Sequence, residues 1–233
     1  MEKKNPSQKN PRREFIGTVA AGAAALGISS MISPFSSNAE NNFHPVTGMD
    51  ADVWFNQLKG KHKIVFDATQ PHDVFPFAWP RVFLMTNEAT GTPSTDTGVV
   101  VVLRHDAIPY AFEDRLWEKY KFGEMFKADD PDTKVASLRN PFWKPAEGAF
   151  KVPGIGVVKI GINELQEAGV MFCVCNAAIT VFTAAAAEMM KMDAAEVKKD
   201  WESGLLPGIQ VVPSGVWAVG RAQEHGCTYC FAG

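Results

Sequence analysis

The amino-acid sequence predicts an α/β domain of three layers, with helices on both faces of a five-stranded, mostly parallel sheet. Short runs of β-branched and aromatic residues alternate along the chain with segments of helical period, joined by short connections. One run contains four consecutive valines, Val99 to Val102, which is typical of a strand covered on both faces. The chain has 233 residues, of which 46% are hydrophobic, and this is ample apolar material for such a core.

Five strands are predicted from these runs, at residues 63–67, 98–106, 170–175, 208–212 and 227–231. The predicted domain covers 61–233, after a lead-in segment at 40–60 that carries a short amphipathic piece. In a parallel sheet of this kind, chemistry gathers at the carboxyl ends of the strands. Cys175, the Arg104-His105-Asp106 trio and the loop after Asp67 all fall at such ends.

Helices are expected between the strands, and the first of them has Pro80 in its first turn and ends before Gly91. An amphipathic stretch of helical spacing follows at 108–126, and the remaining helices are predicted at 163–168, 176–191, 193–204 and 214–226. Asp193 and Ser214 are the N-cap candidates of the last two. A stretch at 127–156 has four prolines and no clear periodicity, and such long segments are usually functional or mobile.

The first 39 residues are predicted to be an export signal rather than part of the domain. Arg12 and Arg13 precede a mildly apolar, uncharged run at 15–35, and small residues up to Ala39 form a cleavage site. This pattern resembles a twin-arginine (Tat) signal, so the expected partner during export is the Tat translocase and the expected location is the periplasm. An uncleaved N-terminal anchor is the alternative, since the apolar run is just long enough to span a bilayer.

The charge balance argues against nucleic acid as a partner. Cleavage after Ala39 would remove five basic and two acidic residues and change the formal net charge from −3 to −6. The mature chain would then hold no basic cluster of the kind that binds nucleic acid or an anionic membrane.

Two segments resemble the DsrE/DsrF-like family. They are "LQEAGVMFCVCNAAI" at 165–179 and "GLLPGIQVVPSGVWAVGRAQEHG" at 204–226, and a looser likeness extends over about 61–233. The resemblance implies a flavodoxin-like, five-stranded parallel sheet and homo-oligomers. It also implies sulfur-relay chemistry, in which a cysteine after the third strand carries a persulfide, and Cys175 occupies the place of that cysteine. The Tat signal, the proline-containing insertion and the three other cysteines are departures from the cytoplasmic relay proteins.

Cys175 is the first candidate for a reactive residue, with His105 as its partner. Cys175 lies where a strand meets a helix, and the free N–H groups and dipole of a helix N-terminus stabilise a thiolate. Asn176 beside it is a candidate capping group. His105 follows the valine strand at the same edge and is expected to face Cys175 as a base or ligand. Cys173 lies two positions earlier, so alternation places both sulfurs on one face, and Cys173 is expected to be buried by the alanine-rich helix.

A metal- or cluster-binding protein is the second hypothesis, because four thiols in an exported protein need some role. The candidate ligands are Cys173, Cys175, Cys227, Cys230 and His225, a set that suits Zn²⁺, Cu⁺ or an iron–sulfur cluster. This site requires the last strand to lie beside the strand that ends in Cys175.

The remaining hypotheses assign the cysteines to structure. A disulfide between strands, for example Cys175 to Cys230, is one of them. A disulfide between Cys227 and Cys230 is excluded if their segment is extended, because its ends lie about 10 Å apart. A non-catalytic, oligomeric binding module with structural cysteines is the third function class.

The export hypothesis predicts the behaviour of a conservative variant. Replacing Arg12 and Arg13 by Lys keeps both charges but removes the paired arginines, so the precursor should stay in the cytoplasm. Cell fractionation with an antibody against the domain measures this, and unchanged export would contradict the Tat interpretation.

Overall fold

The computed structural model describes residues 51–233. The predicted signal, with Arg12, Arg13 and Ala39, lies outside the described residues, as does the first half of the lead-in segment. Residues 51–58 of that segment belong to the packed body of the domain, since Trp54, Phe55 and Leu58 are all buried.

The sheet has five strands, all parallel, and confirms the predicted α/β fold class. The strands are β1 (His62–Ala68), β2 (Thr97–Leu103), β5 (Met171–Cys175), β6 (Ile209–Val212) and β7 (Thr228–Phe231). Their order across the sheet is β6-β5-β2-β1-β7. The valine strand is therefore central, with β1 on one side and β5 on the other. A separate antiparallel hairpin consists of β3 (Lys151–Val152) and β4 (Gly156–Val157).

Eight α-helices are found within residues 51–233. They are α1 (Ala51–Trp54), α2 (Phe75–Ala89), α3 (Asp114–Tyr120), α4 (Phe122–Met125), α5 (Ile162–Glu167), α6 (Asn176–Met190), α7 (Ala194–Ser203) and α8 (Gly215–Glu224). Asp193 caps α7 with hydrogen bonds from two backbone N–H groups, and Ser214 caps α8, as the sequence predicts.

Two hydrophobic clusters cover the two faces of the sheet and complete the three-layer arrangement. The larger cluster takes Val99, Val101 and Leu103 from β2 and packs them against α2 to α7. The smaller cluster takes Val100 and Val102 and packs them against α1 and α8. This alternation explains the continuous valine run, because each valine side chain packs into the hydrophobic cluster on its own face of the sheet.

The start of α2 differs from the prediction. The helix begins at Phe75 and contains Pro80 in its interior, while Pro76 occupies the start of the helix. Proline is well tolerated in the first turn because its missing N–H has no partner there. Pro76 and Pro80 both satisfy this rule in the sequence, and the predicted helix start was placed at Pro80 instead of Pro76.

The predicted amphipathic stretch at 108–126 is divided into three pieces. A 3₁₀-helix at His105–Ala111 precedes α3 and α4, and Lys121 separates these two helices with a left-handed backbone at φ 51°. Pro109 lies inside the 3₁₀ segment, where its missing N–H and its ring interrupt the helical hydrogen bonding.

The proline-containing segment is anchored by a buried side chain. Asn140 is fully buried, donates to the carbonyls of Tyr110 and Phe112, and accepts from the N–H of Phe142. The ring of Phe142 stacks on Phe77 of α2, with 4.2 Å between ring centroids. This part of the segment therefore has a structural role as a cover of the larger cluster.

The tight entry into β2 predicts a marked loss of stability for Gly98→Ala. A Cβ on Gly98 would lie 2.3 Å from the carbonyl oxygen of Lys59, a backbone atom that cannot turn away. We expect a loss of about 1–3 kcal/mol, which is usual for overpacking, measured as a lower urea midpoint with an unchanged slope.

The matched control is Gly220→Ala in α8, where a Cβ would meet nothing within 4 Å. Alanine is the better helix former, so this variant should be as stable as the wild type or more so. Equal stability of the Gly98→Ala and Gly220→Ala proteins would contradict the close packing of Gly98.

Candidate functional site

The carboxyl edge between β5 and β6 is the point where the chain changes direction across the sheet. The strands are neighbours, and Cys175 lies opposite Val212 in their register. The chain leaves β5 into α6, which packs on the larger cluster, but leaves β6 into α8, which packs on the smaller one. The starts of the two helices therefore diverge to opposite faces. In open α/β sheets such a switch point is the usual place for a ligand or active site.

Cys175 lies at this edge, as predicted, and acts as the N-cap of α6. Its Sγ accepts a hydrogen bond from the backbone N–H of Ala178 at 3.3 Å, and the side chain is a free thiol. Asn176, the predicted capping group, is instead the first helical residue. The thiol is largely buried, with 6% of the residue exposed.

Cys173 is buried, as predicted, but by a different helix. It belongs to the smaller cluster with Ala218 and Ala222 of α8, whereas Cys175 packs with the larger cluster. The predictions that both sulfurs lie on one face and that the alanine-rich helix α6 covers Cys173 are therefore wrong, because Cys175 packs with α6 on the other face. Complete burial raises the pKa of the Cys173 thiol strongly, and the nearby Cys175 raises it further.

A charged network that the sequence analysis missed lies beside Cys175. Arg104 donates from Nε and Nη2 to the two carboxylate oxygens of Asp67, at 2.6 and 2.8 Å. The hydroxyl of Tyr229 donates to the same carboxylate at 2.9 Å. Asp67 is 2% exposed, so this is a buried, fully paired carboxylate. The sequence gives only a weak signal for this network. Asp67, Arg104 and Tyr229 come from three different strand regions, and only the order of the strands in the sheet brings them together.

Several neighbours shift the pKa of Arg104. The hydrogen bonds from Arg104 to Asp67 raise the pKa of the guanidinium, burial lowers it, and the charge of Cys175 is among the further contributions that raise it. Adjacent register explains the proximity, because Leu103 of β2 pairs with Val174 of β5 and the next residues are Arg104 and Cys175.

His105 lies at the same edge but is turned to other partners. Its ring is exposed, its Nδ1 is 3.2 Å from the Asp106 carboxylate, and it contacts the edge of Phe182 on α6. Burial raises the pKa of Asp106, and the charge of His105 lowers it. Within residues 51–233, no hydrogen bond or ion pair joins His105 to Cys175. Its role as the partner of Cys175 stays a prediction.

The predicted set of metal ligands is not assembled. β7 pairs with β1, so β2 and β1 separate it from β5. At about 4.8 Å per strand, Cys230 lies roughly 14 Å from Cys175 across the sheet, far beyond the reach of a disulfide or a shared metal ion. Within the described part of the chain, no three His, Cys, Asp or Glu side chains are grouped to hold a metal.

His225 and Cys227 are further from Cys175 than Cys230 is, because they precede β7 and lie at the amino edge. The carbonyl of His225 accepts from Nζ of Lys63 at the start of β1, and its ring stacks on Phe55. Cys227 is buried in the smaller cluster while Cys230 packs against the larger one, so the two side chains lie on opposite faces, as expected. All four cysteines are free thiols.

A shallow depression of about 670 Å³ lies at the amino edge of the sheet, away from Cys175. Its lining includes Trp54, Gly98, Met171 and Gly208. The polar groups of its lining are the Lys59 amine, side-chain amides and the hydroxyls of Ser94, Thr95 and Thr97, and no thiol, carboxylate or imidazole borders it.

No protein-family model and no curated protein matches this chain. A solved protein of unknown function from Methanobacterium thermoautotrophicum is similar in structure at 17% identity and a TM-score of 0.34, covering 73% of this chain and 98% of its own. No helix in residues 51–233 has both the length and the apolar character needed to cross a membrane.

The environments of the four thiols predict an order of alkylation on the folded, reduced protein at neutral pH. Cys175 should react first, because its sulfur accepts a backbone N–H at a helix start. Cys230 is more exposed, but burial raises its pKa, so it should follow. Cys227, whose pKa burial raises to about 11 despite the opposing charge of Lys63, and Cys173 should react last.

Iodoacetamide labelling followed by peptide mass spectrometry measures this order. The urea-unfolded chain is the control, since all four thiols are then equally exposed. If Cys173 labels first, or if Cys175 reacts no faster than in urea, the assignment of Cys175 is wrong.

Proposed function

We propose that this protein is an exported thiol protein in which Cys175 carries a sulfur atom as a persulfide. The observation that carries the proposal is the placement of a free, N–H-bonded thiol at the switch point of the sheet. The resemblance of 165–179 and 204–226 to the DsrE/DsrF-like family supports the same chemistry. The twin arginines support export.

The proposed reaction is a sulfur transfer without net oxidation. The Cys175 thiolate attacks the terminal sulfur of a donor persulfide, R–S–SH, and a new S–S bond forms while the S–S bond of the donor breaks. The donor leaves as R–S⁻ with the electron pair, and the terminal sulfur keeps its proton. Attack of an acceptor thiolate on Cys175–S–SH by the same path returns the Cys175 thiolate.

The other cysteines support a single carrier site. Cys173 and Cys227 are buried with raised pKa values, so they are protonated near neutral pH and are poor nucleophiles. Cys230 lies on the far side of the sheet, too distant to resolve a Cys175 persulfide into an internal disulfide. A persulfide on Cys175 would thus persist until an external acceptor arrives.

A non-catalytic binding module is the second candidate, and the burial of three of the four thiols favours it. In that case the cysteines fill the core as small hydrophobic residues. The two candidates differ in one respect, which is whether Cys175 accepts sulfur.

Sulfur loading tests the proposal. The reduced protein is incubated with glutathione persulfide, and its intact mass is measured after removal of the donor. We expect the mass of one added sulfur atom, located on the Cys175 peptide and released by a thiol reductant.

Cys175→Ser should abolish the adduct, and the matched control Cys230→Ser should retain it. A wild-type protein whose Cys175 can be alkylated but takes up no sulfur would refute the carrier role and favour the binding module.

A further inference from the structure

We infer that the β3–β4 hairpin is a membrane-contact site, which lays an apolar tip and two flanking lysines against a bilayer that contains anionic lipids. The inference goes beyond the proposed function, since it concerns a different part of the chain and does not depend on the chemistry of Cys175.

The hairpin ends in a tight turn that presents an apolar side chain. The N–H of Ile155 donates to the carbonyl of Val152 at 3.1 Å, with Pro153 and Gly154 between them. Gly154 has a φ of 80°, and proline followed by glycine with positive φ is the preferred composition of a type II turn. The proline ring and the turn hydrogen bond fix the backbone here, so Ile155 is held at the tip.

Alternation along the two strands gives the hairpin an inner and an outer face. Lys151 pairs with Val157 and Val152 pairs with Gly156, and paired residues of antiparallel strands share a face. Val152 and Val158 are partly buried on the inner face, where Val158 packs against the larger cluster. Val157 lies on the outer face and is 56% exposed, as is Ile155. The inner face thus holds the hairpin on the domain, while the outer face and the tip present branched apolar side chains to solvent.

Two lysines share the outer face with Val157. Lys151 is its strand partner, and Lys159 lies two residues further along, where the hydrogen bond from Val158 N–H to the Phe150 carbonyl continues the pairing. Lys151 and Lys159 are therefore diagonal neighbours on one face. Both are exposed, and neither forms an ion pair within residues 51–233. Neighbouring like charges repel each other, and an anionic partner would remove that repulsion.

The charge of this region is opposite to that of the rest of the domain. Residues 143–160 contain three lysines and one carboxylate, a formal charge of +2. The chain from residue 40 onward has 18 basic and 24 acidic residues, a formal charge of −6. An anionic surface therefore orients this protein so that the positive region faces it. The lysines are dispersed in the sequence, and the hairpin brings two of them onto one face.

A bilayer surface accommodates the tip and the lysines together. Anionic headgroups attract the lysines, while aliphatic side chains enter the boundary between headgroups and acyl chains. An acidic protein would match the lysines too, but it would need a pocket complementary to Ile155. A fluid bilayer needs no such pocket, so a narrow, convex, apolar tip favours the membrane.

Hydrogen–deuterium exchange on the full chain tests this contact, with vesicles of phosphatidylglycerol and phosphatidylcholine in equal amounts. The readout is the peptide that covers 150–159, because the apolar run at 15–35 is itself able to bind vesicles and a bulk binding assay would not separate the two. We expect exchange in this peptide to slow on these vesicles but not on phosphatidylcholine alone. Salt at about 1 M, where the Debye length is about 3 Å, should remove the protection. Exchange in β2 should stay the same throughout, which checks the fold.

Variants separate the tip from the lysines. Ile155→Ser combined with Val157→Ser should raise the vesicle concentration for half-maximal protection about tenfold, because two apolar side chains leave the contact. The control Val216→Ser removes a similarly exposed valine from α8, on the opposite face of the sheet, and should change nothing.

The lysines have a control of equal charge. Lys151→Gln combined with Lys159→Gln should raise the same concentration about 25-fold, or about fivefold per lysine. Lys61→Gln combined with Lys199→Gln changes the net charge equally at exposed positions outside the hairpin and should have little effect.

Three results would overturn the inference. No protection on the anionic vesicles would leave an acidic protein as the candidate partner of the hairpin. Equal protection on neutral vesicles would show that the lysines take no part. Equal losses in the hairpin variants and in their controls would show that the contact does not lie at the hairpin.

Discussion

The buried pair of Asp67 and Arg104 is the contact on which the carboxyl edge of the sheet depends. A carboxylate that is 2% exposed is costly unless a cation and hydrogen bonds offset its lost hydration. Arg104 and Tyr229 supply both, and the start of α8 yields space for the arginine at Gly215. Apolar residues of similar volume usually stabilise a core as well as such a pair or better. Stability alone therefore does not account for its presence at this edge of the sheet.

The direction of the chain across the sheet explains why this pair lies next to a thiol. From β1 the chain adds β2, β5 and β6 on one side, and only β7 returns to the free side of β1. Right-handed crossovers then require α8 to lie on the opposite face from α6. Cys175 lies where the two helix starts diverge, and Arg104 follows the neighbouring strand and lies against the start of α8. The site is a product of topology, assembled from segments that are distant in sequence.

This dependence on topology decides what could be predicted from the sequence. The five strands, the caps Asp193 and Ser214, and the edge position of Cys175 follow from local patterns and are confirmed by the structure. The network of Tyr229, Asp67 and Arg104 depends on which strands are neighbours, and no local pattern encodes that order. The strand order also decides against the predicted set of five metal ligands. That set required β7 to lie beside β5, whereas β7 lies beside β1. The start of α2 was misplaced for a local reason, because Pro76 and Pro80 are both suitable for the first turn of a helix.

The four cysteines finally show how position gives one residue type different chemistry. Cys173 lies in mid-strand with core on its side of the sheet, and complete burial makes its ionisation unfavourable. Cys227 is nearly as deep at the amino edge, where the strand direction offers no helix start. Cys175 is also buried, but it ends its strand, so its sulfur accepts the N–H of Ala178 at the start of α6. The same residue type therefore fills the core in mid-strand and caps a helix at the strand end.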